Sequence, residues 1–339
     1  MFRYGCQTVG FVLIATFGAF DVARAADDNA PLPGSTLAQP PVEQTLAAVA
    51  DGPLTYPSFT QQKARPEDLT LGNFFSAGWD DEWAKQVRDT GTPNLALLRV
   101  QTNFMEREYR ANYYLQDDIA STKTRSLTDL DMLIAWSFNR RLMIEVTGAY
   151  QWTDPRTGGL EENGGTPGLV TRFQLIDTES SSYSFNFKVA APNQELGITQ
   201  TTISYGVAGF EDMAYWLGLK KVGLYYSFLF DSLTGPGAAG AKHTDVGYDV
   251  TLAKTITDPD TPFFGTLTFF VENYAQTDLD GSTDGRTLVT VTPGVRFNLG
   301  KCGGLNIGKD NWVMFGTDIP ISDYKPWAAI YRFTYIKNF

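Results

Sequence analysis

Arg99, Arg141, Arg172, Lys188, Arg296 and Arg332 fall on the polar face of segments that alternate with period two. So do Asp129, Asp131, Glu145, Asp245, Asp249, Glu272 and Asp318. Side chains two apart on an extended chain share a face, so this spacing gathers both signs of charge on one side of a sheet. Such a set can ring an aqueous path and set its ion preference, or pair across an interior and close it. Tyr225, Phe270, Tyr274 and Trp312 take the same parity, and aromatic rings among charges suit small amphipathic solutes. The candidate lining residues are therefore Asp129, Arg141, Glu145, Arg172, Lys188, Tyr225, Asp245, Asp249, Phe270, Glu272, Arg296, Trp312 and Arg332.

Catalytic chemistry is thinly supplied. A serine nucleophile needs a histidine held by a third group, and the single histidine, His243, sits in the Gly-rich stretch "GAAGAKHTD". The sequence holds no Cys/His cluster with zinc spacing and no Gly-rich phosphate loop after a parallel strand. "DLDGSTDG", Asp278 to Gly285, lacks the closing glutamate of a calcium loop. We expect no cofactor, no metal and no enzymatic activity, with an outer-membrane hydrolase as the less favoured alternative. A net charge of −11 without any Lys/Arg cluster argues against nucleic acid as a partner.

The elements that carry these charges read as strands. "LDMLIAWSFNRRLMIEVTGAYQW" sets Leu130, Met132, Ile134, Trp136 and Phe138 on one face, turns at Asn139 and Arg140, and resumes with Leu142, Ile144, Val146, Tyr150 and Trp152. That is a hairpin of two long strands. The same division recurs from Leu169 to the final "WAAIYRFTYIKNF", Trp327 to Phe339. Aromatic residues make up 14% of the chain, yet the mean hydropathy is −0.19, so apolar residues are interleaved rather than blocked. That excludes a helical membrane bundle. The strand lengths, and an apolar face almost free of charge, point to an all-β fold: a closed antiparallel transmembrane barrel of about twelve strands. A secreted β-sandwich is the rival.

The strand count turns on "LLRVQTNFMEREYRANYYLQ". Leu98, Val100 and Phe104 keep even parity, whereas Tyr109, Ala111, Tyr113 and Leu115 keep odd parity. One long strand with a bulge near Met105 to Arg107 absorbs the change of face. The connections near 117–126, 153–166, 192–199, 231–243, 276–286 and 321–326 read as long outer loops, and those at 139–140, 177–182, 212–218 and 257–262 as shorter inner turns. "GKCGGLNIGKD", Gly300 to Asp310, is unexplained.

Upstream, "VGFVLIATFGAF" (Val9 to Phe20) followed by "ARA" reads as a secretory signal peptide over 1–25. Its removal leaves Cys302 as the one cysteine. Residues 26–93 read as a periplasmic arm, Pro- and Ala-rich to about Pro66. In the arm, Phe74, Phe75, Trp79 and Trp83 suit a short amphipathic helix, which packs on the barrel or plugs it. Residues 94–339 form the barrel. Its last strand pairs with its first, and the terminal Phe339 matches an assembly signal read by the barrel-assembly machinery. The expected setting is the bacterial outer membrane, with its lipid and small-molecule solutes as partners. An adhesive or structural barrel whose loops bind a partner is the alternative function.

"TTISYGVAGFEDMAYWLG" (Thr201 to Gly218) and "GLYYSFLFDSL" (Gly223 to Leu233) resemble the outer-membrane transporters of the MetA pathway of phenol degradation. The likeness covers the barrel, and its motifs are loose. It implies a channel for passive passage of small, often aromatic or hydrophobic, compounds, and assigns no catalytic residue.

Overall fold

The computed structural model describes residues 67–84, 88–101, 103–117, 124–155, 161–192, 200–234, 244–259, 261, 264–300 and 310–339. The signal peptide, the arm up to Pro66, His243 and Cys302 lie outside the described residues.

The strands are β1 Arg107–Asp117, β2 Thr124–Ser137, β3 Leu142–Pro155, β4 Glu161–Gly164, β5 Gly168–Asp177, β6 Ser181–Ala190, β7 Thr201–Asp212, β8 Val222–Thr234, β9 Thr244–Thr255, β10 Gly265–Asp278, β11 Thr287–Asn298, β12 Asn311–Pro320 and β13 Ala329–Asn338. Of these thirteen, the short β4 pairs only with the far part of β3, which leaves a wall of twelve. Every wall strand is antiparallel to its neighbours, and β13 returns to β1 in register from Glu108↔Asn338 to Asp117↔Ala329. The ring has no open edge, which is what lets a sheet exist in lipid. Phe339 packs against Trp136, with ring centroids 5.7 Å apart, at the end we call proximal.

Parity sets the two faces as the sequence suggests. Met132, Ile134 and Trp136 point outward and are 41%, 53% and 44% exposed, while the intervening Ala135 is buried. Val146, Leu169, Val207, Phe228, Tyr248, Phe315 and Tyr331 continue this exposed apolar surface around the ring. A soluble protein does not leave so extended a surface in water; it is the lipid face of a transmembrane barrel. Lys254, an outward charge, lies near the proximal end of β9 and donates to the Lys220 carbonyl at 2.8 Å.

Three expectations are corrected. The long bulged strand expected from Leu97 is cut short: the first wall strand starts at Arg107, and the described residues among 94–106 are no part of the wall. The run Leu95–Leu98 is apolar at consecutive positions, so it needs apolar neighbours on every side, and a wall strand with one polar side cannot supply them. The chain instead turns into the lumen, where Leu95, Leu97, Leu98, Val100 and Phe104 form a buried core with the inward Phe210, Tyr225, Phe270, Trp312, Met314 and Ile336.

The short helix expected within 67–91 is replaced by turns and bends among the described residues. Asn73 takes the Thr70 N–H at 2.7 Å and donates to the Asp68 carbonyl at 2.9 Å, local bonds that compete with a helix. Gly78 then adopts φ +86°, outside helical geometry. The aromatic spacing serves packing: Trp79 meets Phe74 edge-on at 5.6 Å, and Trp83 donates to the Met105 carbonyl at 2.8 Å.

Last, the loop asymmetry is partial. Connections 138–141 and 178–180 at the proximal end are tight. The proximal connections 213–221 (carrying a one-turn helix, Met213–Leu217), 256–264 and 299–310 are as long as those at the distal end.

Candidate functional site

The lumen is built from two parts, the inward faces of the wall and the inserted segment 88–106. The 178–180 connection and the proximal end of β7 hold its entry. Arg88 donates to the Thr178 carbonyl at 2.8 Å and to that of Glu179, and the Asp212 carboxylate accepts from the hydroxyls of Thr90 and, at 3.0 Å, Thr92. Going inward, Tyr225 donates its hydroxyl to the Pro93 carbonyl at 3.1 Å and Arg296 donates to that of Ala96 at 2.7 Å. On the way out, Arg172 donates to the Phe104 carbonyl at 3.1 Å and Ser137 to that of Glu106 at 2.8 Å. A segment with no sheet partner must satisfy its backbone this way, and the wall arginines supply donors where water cannot.

At the tip, the Glu272 carboxylate on β10 accepts the backbone N–H of Arg99 at 3.1 and 3.2 Å, and that of Val100 at 3.5 Å. The Arg99 guanidinium lies over the Tyr274 ring at 3.9 Å and meets the fully buried Asp318 carboxylate. Arg332 reaches the same carboxylate at 2.7 Å and covers the Tyr114 ring at 4.4 Å. Thr292 donates a further bond to Asp318 at 2.7 Å. Charge-assisted bonds of this kind are strong where water is excluded, and they hold the tip to β10, β12 and β13.

Against the tip lies a cavity of about 440 Å³ in the distal half of the barrel. Leu98, Arg99 and Gln101 of the inserted segment and Tyr114, Gln116, Asp129, Asp131, Leu229, Asp249, Tyr274, Ile330 and Arg332 of the wall line it.

The predicted residues divide accordingly. Asp129, Asp249 and Arg332 meet in the cavity, with Glu272 at the tip clasp. Tyr225, Phe270, Trp312 and Arg296 surround the inserted segment, and Arg296 also covers the Trp312 ring at 4.3 Å. Glu145 and Arg172 face each other at 3.9 Å, and Arg172 is held by Asn186 at 2.6 Å. Lys188 and Asp245 point inward on β6 and β9 but do not line the cavity.

Arg141 is a different case. It sits in the β2–β3 turn, fully buried, and donates to the carbonyls of Ala77, Gln174 and Leu175, each at 2.9 Å. It fastens residues 70–78 to the barrel end and is no pore residue.

Leu98, placed by parity on the outward face of a wall strand, could not be found from the sequence; Gln101 shares the inward parity of Arg99 and could. Tyr114 and Gln116 share the inward parity of Asn112 and could have been found from it. In the acidic stretch from Asp278 to Gly285, Asp278 pairs with Arg286 at 3.3 Å and Asp280 accepts the Thr244 N–H at 3.1 Å. Among the described residues no three His, Cys, Asp or Glu side chains are grouped to hold a metal.

No family model matches the chain, and no curated protein does. Among solved structures it is similar to an outer membrane channel from Pseudomonas putida F1, with a TM-score of 0.51 and 10% identity over 72% of this chain and 100% of that one. It is also similar to the NanC porin, at a TM-score of 0.44 and 8% identity over 69% of this chain and 99% of that one. At such identity the likeness to the Pseudomonas channel is one of fold, a closed antiparallel outer-membrane β-barrel. That fold and the apolar outer face together support an outer-membrane location.

Proposed function

We propose that the protein is an outer-membrane channel for the passive passage of small solutes, and that residues 94–106 narrow its lumen from the proximal side. The carrying observation is the 440 Å³ cavity with its mixed lining of carboxylates, arginines and tyrosines, bounded by the tip of that segment. A barrel filled only to hold itself together has no need of a polar space large enough for a small solute between its wall and an inserted loop; a conducting one does. The loose likeness of Thr201–Gly218 and Gly223–Leu233 to MetA-pathway transporters extends the reading to aromatic or hydrophobic compounds. In this reading the chain is exported by its N-terminal signal peptide and assembled through Phe339, with the proximal end in the periplasm.

The test is the wild-type protein in a planar bilayer and in liposomes offered small sugars, organic acids and phenols. Discrete conductance steps, or uptake of at least one class, are expected. A barrel that is folded by its heat-dependent gel migration and yet passes nothing would overturn the proposal.

A further inference from the structure

Which charge the cavity admits depends on which of its ions are still available to a solute. Most of the arginines are not. Arg172 and Arg296 donate to backbone carbonyls of the inserted segment, and Arg99 and Arg332 converge on Asp318.

The carboxylates stand differently. Asp249 is 7% exposed; its Oδ2 accepts the Ser227 hydroxyl at 2.9 Å, while its Oδ1 has no hydrogen-bond partner among the described residues. A buried carboxylate oxygen left without a donor is costly, and this one belongs to a residue lining the cavity. Asp129 and Asp131 line the same space from β2, with one Asp129 oxygen taken by Gln151 at 2.7 Å. The lining thus holds three carboxylates, Asp129, Asp131 and Asp249, against two guanidinium groups, Arg99 and Arg332, which are both committed to Asp318.

The approach from the distal end carries the same sign. Asp245 lies in register with Asp231 on β8 and with Asp278 on β10, all at inward parity. Asp278 pairs with Arg286 at 3.3 Å, yet three carboxylates on adjacent strands keep the row acidic, and an approaching cation is drawn by it.

We infer that the distal cavity is a cation-selective binding site, taking small ammonium-bearing solutes on Asp249 and Asp131. The inference rests on the channel function proposed above and names the solute charge it selects. Such a solute supplies the donor that Asp249 Oδ1 lacks, and it meets carboxylates before it meets an available arginine.

The experiment is the reversal potential of the wild-type protein under a potassium chloride gradient, with liposome uptake of putrescine against succinate, dicharged chains of equal carbon number. Potassium should permeate over chloride by at least about threefold, and putrescine should enter faster than succinate. The variant carrying D249N and D131N should bring both ratios close to one, and D249E should keep most of the preference. Clear conductance with chloride preferred, or with no preference, overturns the inference and leaves the channel function standing. Loss of conductance to every ion and solute overturns the channel function and this inference with it.

Discussion

The Arg99 guanidinium, on a loop inside the barrel, lies 2.5 Å from the carboxylate of Asp318, on the barrel wall. The two are distant in sequence, and the wall carboxylate is fully buried. Asp318 also neutralises Arg332, so one anion serves two cations, and each guanidinium in turn covers a tyrosine ring. The contact thus ties the tip of the inserted segment to a charge network of the wall.

Asp318→Asn should therefore loosen the tip and the wall together. It leaves two buried guanidinium groups short of an anion, a loss of about 3–5 kcal/mol in comparable buried pairs. Urea unfolding in detergent micelles should show the lowered stability, and bilayer recordings should show larger or more frequent openings. Unchanged stability and unchanged openings would mean that the tip is held by Glu272 and packing alone.

Arg141 makes a prediction that separates anchoring from permeation. Its donors hold carbonyls on both the barrel end and the stretch 70–78, a planar fork that lysine cannot reproduce. Arg141→Lys should cost about 3 kcal/mol locally, making the stretch from Glu67 to Thr92 roughly 100-fold more open to protease. Ion preference should stay as in the wild type. A shift in reversal potential without added proteolysis would return Arg141 to the pore.

The wall was legible from the sequence because one physical rule governs it. Each strand has a lipid side and a lumen side, so Met132, Ile134, Trp136 and their counterparts mark the period directly, and closure fixes an even count. The inserted segment obeys no such rule. Leu95–Leu98 and Phe104 are buried by wall residues that come from β7 to β13, so nothing local distinguishes them from a strand with a bulge. The inward parity of Asp129, Asp249, Glu272 and Arg332 was readable; their division into cavity and clasp was not, because it depends on where the inserted segment stops. Arg141 had the right parity and the wrong place, since one residue before the start of β3 its side chain turns from the lumen to the barrel end.

The outer face should tolerate no charge at mid-height. Phe228 lies midway along β8 and is 51% exposed to the surroundings. Phe228→Arg should destabilise the barrel by about 2–4 kcal/mol in a lipid bilayer, measured by urea titration in vesicles. Reversal potential should be unaffected, because residue 228 has the outward parity. An equal stability of variant and wild type would count against a lipid-facing position.

Gly316 offers the most direct handle on the inserted segment. It has inward parity on β12, and a Cβ built there would lie 2.3 Å from Leu98 Cδ1, with the Pro293 carbonyl oxygen at 3.1 Å. Its φ is not positive, so the strand accepts a β-branched residue without backbone strain. The cost of Gly316→Val therefore falls on the contact with Leu98. Overpacking of this size is worth about 1–3 kcal/mol, enough to raise the fraction of displaced tip by roughly 5- to 150-fold. Leu98→Ala removes the colliding atoms, so adding it to Gly316→Val should recover most of the wild-type behaviour, a coupling that independent sites would not show. The readouts are open probability in a bilayer and protease cleavage between 88 and 106. If Gly316→Val gives a folded barrel with neither changed, the tip at Leu98 is not the barrier to passage, and the narrowing must lie closer to the Tyr225 and Phe104 contact at the proximal end.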